Sequence, residues 1–124
     1  MSVNKMKKTL VIGASANPQR YSYICTNLLS EYKHEVAALG NKPGIISKHA
    51  IITLFPESKD FDTVTMYLNE NLQKEYYDKI IDLKPKRVIF NPGTENQEFM
   101  EILKKEGIQP IEACTLVLLR TNQF

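Results

Sequence analysis

The chain lacks most of the features that mark a specialised class. It has no apolar run near the roughly 20 residues that a membrane-spanning helix needs. Its early lysines, Lys5, Lys7 and Lys8, precede no long apolar segment, so no signal peptide is legible. Cysteine is scarce: Cys25 and Cys114 lie far apart in apolar surroundings. That excludes a disulfide framework and makes a reducing cytoplasm the natural compartment. The two histidines, His34 and His49, have no ligand spacing with each other or with a cysteine, so no metal site is expected. A net charge of +2 leaves no basic footprint for a nucleic-acid groove. The lysine cluster reads as a solvated tail, with residues 1–7 expected to be flexible. There is no nucleophile triad and no P-loop lysine, and Asp60, Asp62 and Glu112 form no acid–base pair with a histidine. These gaps argue against a self-contained catalyst.

What remains is an ordinary globular composition, 43% hydrophobic and 24% charged over 124 residues. That length suits one domain, 1–124, with a real core. Short apolar, β-branched runs recur at Leu10–Ile12, Val36–Leu39 and Val88–Phe90. Such unbroken runs fit strands buried on both faces, as in parallel sheets. Thr63–Tyr67 reads as a fourth strand, and Ile108–Ile111, with its proline, as a weak edge strand. Ile51-Ile52 is ambiguous. Helical spacing of apolar residues predicts helices over Tyr21–Tyr32 and Asn71–Lys84, the second stopped by Pro85. A third helix follows Thr94, where Thr94 and Gln97 read as a capping box and Gly107 as the stop. Alternating strands and helices imply βαβ units. The predicted fold is therefore a three-layer, Rossmann-like α/β fold, a mostly parallel sheet with helices on both faces. Ligands bind such sheets beyond the carboxyl ends of the strands.

The most informative stretch lies at that edge. In LVIGASANPQRYSY, residues 10–23, a strand stops at Gly13, turns through Ser15 and Asn17-Pro18, and enters a helix after Arg20. This order places backbone N–H groups and a guanidinium where a phosphate would sit. Gly13 permits close approach of backbone or ligand. After the second strand, NAD-binding domains place an Asp or Glu for the ribose hydroxyls. Here the chain reads Gly40-Asn41-Lys42-Pro43-Gly44, with no carboxylate. Asn41 and Lys42 suit a nucleotide with an extra ribose phosphate, a description that both NADP and coenzyme A meet. A third turn, Asn91–Asn96 with Gly93, precedes a helix and reads equally as structural or anion-binding. Tyr67 reads either as packing or as flanking an adenine or pantetheine. Cys114 reads as an inert buried thiol or as a neighbour of a ligand thiol.

The run Gly13–Tyr23, with Gly13-Ala14-Ser15, Asn17-Pro18, Arg20 and Ser22-Tyr23, resembles the signature of small single-domain CoA-binding proteins. These are related to the CoA-binding domain of the succinyl-CoA synthetase alpha subunit. Asn41-Lys42-Pro43 is similar to that family's Asn-Pro-Lys segment in changed order. Asn91-Pro92-Gly93 with Asn96-Gln97-Glu98 is similar to its glycine-containing loop. Many members carry an Asp before a C-terminal cysteine, where this chain has Glu112-Ala113-Cys114. The resemblance implies a CoA or acyl-CoA ligand, with Gly13, Ser15 and Arg20 at its phosphates. It implies Asn41 and Lys42 at the ribose phosphate and Tyr67 along the adenine or pantetheine. It implies no enzymatic activity. Two other readings stand beside it: an NADP-dependent oxidoreductase or NADP sensor with Tyr67 as proton donor, and an interaction module that has lost its ligand. The partner expected is a small nucleotide rather than a nucleic acid or membrane, and the reading admits a homodimer.

Overall fold

In the computed structural model, which describes residues 5–124, seven strands form one sheet in the order β3-β4-β2-β1-β5-β6-β7. The strands are β1 (Thr9–Ile12), β2 (Val36–Leu39), β3 (Ile45–Ile46), β4 (His49–Ile52), β5 (Thr63–Met66), β6 (Arg87–Phe90) and β7 (Gln109–Glu112). Every pairing is parallel except the short β3–β4 hairpin. The α/β, Rossmann-like architecture is therefore the one the sequence implies. The central strands β1 and β5 are buried at every position, which is why β1 runs Leu10-Val11-Ile12 without alternation and why the threonines of β5 lie inside.

Two apolar clusters fill the two sides of the sheet. On one side Leu10, Ile12, Val64, Phe90, Phe99 and Leu103 pack together. On the other, Val11, Cys25, Leu29, Ala38 and Leu116 pack together. The odd–even split between Leu10 and Val11 follows from the two-residue period of a strand. Each fully buried large side chain contributes about 1.5–3 kcal/mol of apolar transfer.

The helices are α1 (Tyr21–Glu31), α2 (Glu70–Gln73), α3 (Tyr77–Leu83), α4 (Gln97–Lys105) and α5 (Thr115–Arg120). Four of them differ from the sequence expectation. The helix expected over Asn71–Lys84 is broken by a 3-10 turn at Lys74–Tyr76. Buried Gln73 spends its side chain on loop carbonyls at that break, and Lys84 closes α3 in a left-handed conformation (φ 54°) ahead of Pro85. The capping box at Thr94 and Gln97 does not form. The Thr94 hydroxyl instead donates to the Asn91 carbonyl at 2.7 Å, and Asn96 caps α4 by accepting from the Phe99 N–H at 3.0 Å. An Asn one residue from the helix outcompetes a Thr three residues away. α5 has no side-chain cap and only six residues, so nothing in its sequence announces it. Strand β5 ends at Met66, leaving Tyr67 in the loop.

Of the tail expected at 1–7, residues 1–4 lie outside the described residues. Lys7 is held in place: its N–H donates to His34 Nδ1 at 2.9 Å, and its ammonium to the Phe124 carbonyl at 2.6 Å. No helix among the described residues is long and apolar enough to cross a membrane.

Candidate functional site

The chain runs outward from β1 to β2 on one side and returns to β5 on the other. The loops after β1 and β5 therefore diverge, and a crevice opens between them at the carboxyl ends of the strands. A cleft of about 520 Å³ occupies this position.

Close backbone approach builds its floor. Gly13 has φ +96°, and a Cβ there would stand 3.0 Å from the Tyr67 carbonyl carbon. Its N–H and that of Ala14 both donate to the Leu39 carbonyl, at 3.0 and 2.9 Å. The turn after β1 is thereby tied to the end of β2. Gly40 is tighter still, because a Cβ there would lie 2.6 Å from the Ala14 carbonyl oxygen. Real Cβ atoms do not approach backbone so closely, so the two turns meet only because residue 40 is glycine.

The N-terminus of α1 forms one wall. Within the turn, Ser15 Oγ accepts from the Asn17 N–H at 3.1 Å, and Asn17 Oδ1 accepts from the Gln19 N–H at 3.0 Å. These local bonds lead the chain into the helix at Arg20. There the pattern of caps changes. Asn69 caps α2 and Asn96 caps α4, but Arg20, the N-cap of α1, supplies no side-chain acceptor. No acidic residue stands in the first turn of α1 either. The Tyr23 N–H turns back to the Arg20 carbonyl at 3.1 Å, while Tyr21 and Ser22, which line the cleft, have no side-chain cap for their N–H groups. The Arg20 side chain lines the same mouth and makes no ion pair among the described residues.

The opposite wall comes from the loops after β5 and β6, with Leu68, Leu72, Tyr76 and Gly93 along it. A buried polar network sets its base. Asn91 Nδ2 donates to Thr65 Oγ1 at 2.7 Å and to the Met66 carbonyl at 2.9 Å. Asn91 Oδ1 accepts from the Thr115 N–H at 2.8 Å, joining the ends of β5 and β6 to the start of α5. Glu75 is the acidic residue lining this otherwise apolar and neutral wall.

Eight of the twelve site residues expected from the sequence line the cleft. Gly13, Ala14, Ser15, Arg20 and Ser22 do so on the α1 side. Asn41 lines it from the end of β2, and Tyr67 and Gly93 from the far wall. The other four do not. Asn17 and Pro18 are exposed in the turn, where Asn17 shapes the backbone. Tyr23, in the first turn of α1, packs against the core. Lys42 is exposed on the turn after Asn41.

Tyr67 has a divided role. It lines the cleft, yet its hydroxyl is buried with no hydrogen-bond partner, and Cys25, Cys114 and Thr65 are among its polar neighbours. Burial pushes its pKa up, as it pushes the Cys25 thiol up to about 12. Gly40 as a contact point, Tyr76 as a cleft residue and the buried Gln73 are not expected from the sequence. A glycine directly after a buried strand was the available signal for the first. Helical periodicity concealed the other two.

No curated protein matches the chain. Solved structures do. The chain shares 46% identity with an uncharacterized protein known from a crystal structure, with a TM-score of 0.95. That match covers 98% of this chain and 100% of the other. A Thermus thermophilus protein, cell-free ID.343, has 20% identity and a TM-score of 0.81, covering 96% and 91% of the two chains. A hypothetical protein of Pyrococcus horikoshii OT3 has 22% identity and a TM-score of 0.84, covering 94% and 84%. These last two share the fold. The family model described as a CoA binding domain matches residues 7–120, nearly all of the fold and every wall of the cleft. The chain belongs to the CoA binding domain family.

Proposed function

We propose that this protein binds coenzyme A or an acyl-CoA in the cleft and performs no chemistry on it. The observation that carries this reading is the uncapped N-terminus of α1 with unpaired Arg20 beside it, set at the crevice between β1 and β5. A diphosphate at this point would receive backbone N–H groups, the helix dipole and a guanidinium together. Asn41 at the end of β2 lies where the ribose of such a nucleotide would reach, and no carboxylate stands there to repel a ribose phosphate. Lys42, one residue on, adds positive charge at the rim. The whole described fold acts as one binding domain, and two free cysteines suit a reducing cytoplasm.

The NADP reading gains less support. Its proton donor would be Tyr67, whose hydroxyl is buried away from solvent and whose pKa is raised by that burial. Among the described residues, the cleft lining supplies no histidine or lysine to replace it.

A thermal-shift series with CoA, acetyl-CoA, NADP, NAD and ATP tests the proposal. Ligand at 100 times its Kd stabilises the native state by about 2.7 kcal/mol, which moves the midpoint by several degrees. CoA and acetyl-CoA should give this shift. A response to NADP alone would reverse the assignment, and no response at millimolar CoA would remove it.

A further inference from the structure

The far wall of the cleft is made by two separate loops, and one buried side chain holds them together. Gln73, the last residue of α2, is fully buried. Its Nε2 donates to the Leu68 carbonyl at 2.9 Å and to the Thr94 carbonyl at 2.7 Å. Leu68 belongs to the loop after β5 and Thr94 to the loop after β6, and both line the cleft. Its Oε1 accepts from Asn96 Nδ2 at 2.9 Å. Asn96 Nδ2 also reaches the Tyr77 hydroxyl at 2.8 Å, while its Oδ1 caps α4. Tyr77 is fixed in turn by stacking on Phe99, with ring centroids 4.1 Å apart.

This set of bonds permits one orientation of the Gln73 amide. Turned over, its oxygen would face two carbonyl oxygens and its NH2 group would face the Asn96 NH2 group. Glutamate at this position has no donor for the two carbonyls, and an apolar residue of the same length leaves them buried and unpaired. The 3-10 turn at Lys74–Tyr76 follows directly, so the clamp coincides with the break in the helix.

We infer that Gln73 is a positioning residue: it makes the loops after β5 and β6 one preformed wall that receives the pantetheine arm of the ligand. The inference rests on the CoA reading above. Strand order supports it, since Asn41 at β2 and the N-terminus of α1 take the nucleotide end on one side of β1. The wall on β5 and β6 is left for the arm that extends beyond the diphosphate. Gln73 itself touches no ligand.

The test compares two probes by calorimetry. CoA spans the whole cleft, whereas adenosine 3′,5′-bisphosphate carries only the nucleotide end. Gln73→Met should weaken CoA by about tenfold, the effect of leaving buried carbonyls unpaired and the wall loose. It should leave the bisphosphate within about twofold. A merely structural role would lower the melting temperature without separating the two probes. Equal losses for both, or no loss of CoA affinity, would overturn the inference. Where Gln73→Met does not fold, Asn96→Ser keeps a capping oxygen for α4 and removes the amide that donates to Gln73 and to the Tyr77 hydroxyl. Its selective loss for CoA should be smaller, about threefold. If the unaltered protein binds neither probe, the CoA reading itself falls. If it binds CoA and the variants bind both probes unchanged, only the role of Gln73 falls.

Discussion

The two edges of the sheet are built from opposite chemistry. At the amino edge, Lys8 and Arg87 find partners within the chain. Lys8 meets Asp60 at 2.8 Å and Glu35 at 3.6 Å, and lies 4.6 Å over the Phe61 ring. Arg87 donates through Nε to Thr63 Oγ1 at 2.8 Å and sits 4.5 Å over the Phe124 ring. At the carboxyl edge, Arg20 has no such partner and α1 has no cap. A cation that serves stability finds its partner within the chain, as Arg87 does. Arg20, left open beside the uncapped start of α1, is available to an anion. The comparison predicts that equivalent substitutions at the two edges have effects of different kinds.

The largest effect should come from Gly40→Ala. The added methyl would stand 2.6 Å from the Ala14 carbonyl oxygen, so the two turns of the carboxyl edge must separate. A loss of about 1–3 kcal/mol in stability is expected by denaturant titration, together with loss of the CoA-induced thermal shift. Unchanged stability would show that the junction is softer than its geometry implies.

Next come the two arginines, which set the edges directly against each other. Arg20→Ala should leave the unliganded melting temperature alone and weaken CoA by about 1.5–3 kcal/mol, read by calorimetry. Arg87→Ala should do the reverse, lowering stability by about 1–2 kcal/mol through lost hydrogen bonding and ring contact, with CoA affinity unaltered. If both variants behave alike, the contrast between the edges is wrong.

A smaller effect lies in the pH dependence of the amino edge. Burial, then the nearby Lys7 and Arg87, hold the His34 pKa below its ordinary 6.5, and its Nδ1 already accepts the Lys7 N–H. The native state therefore prefers neutral His34. Below about pH 6.5 the unfolded chain binds the proton more readily, so stability falls as pH drops from 6.5 toward the lower native pKa. His34→Gln, which retains an acceptor, should flatten the melting temperature against pH over that window. The smallest effect should be Lys8→Met, whose exposed pairs contribute about 0–1 kcal/mol and less in high salt.

Much of the fold was legible because both its signals are local. The unbroken apolar runs of β1, β2 and β6 signal buried strands, and the helical stripe from Tyr21 to Tyr32 marks α1 to within one residue. The elements that escaped have weak local signals. α5 is six residues without a cap, and β3 is two residues of a hairpin. Thr94 and Gln97 had the right spacing for a capping box, yet the Asn91 carbonyl, brought close by the turn, took the Thr94 hydroxyl. The candidate site divides in the same way. Gly13 to Ser22 is continuous in sequence, so the turn and helix entry that line the cleft on this side could be read there. The far wall joins Leu68, Gln73 and Thr94, which are contiguous only in space.

The sequence by itself determined the alternation of strands and helices, the turn at Gly13 and the absence of a carboxylate after β2. These are properties of neighbouring residues, fixed by local sterics and by side-chain chemistry. Only the tertiary structure decided that Gly40 must be glycine, that Tyr67 turns its hydroxyl inward, and that Gln73 unites two loops. Each of those depends on which atoms from distant segments lie within van der Waals or hydrogen-bond reach once the core closes.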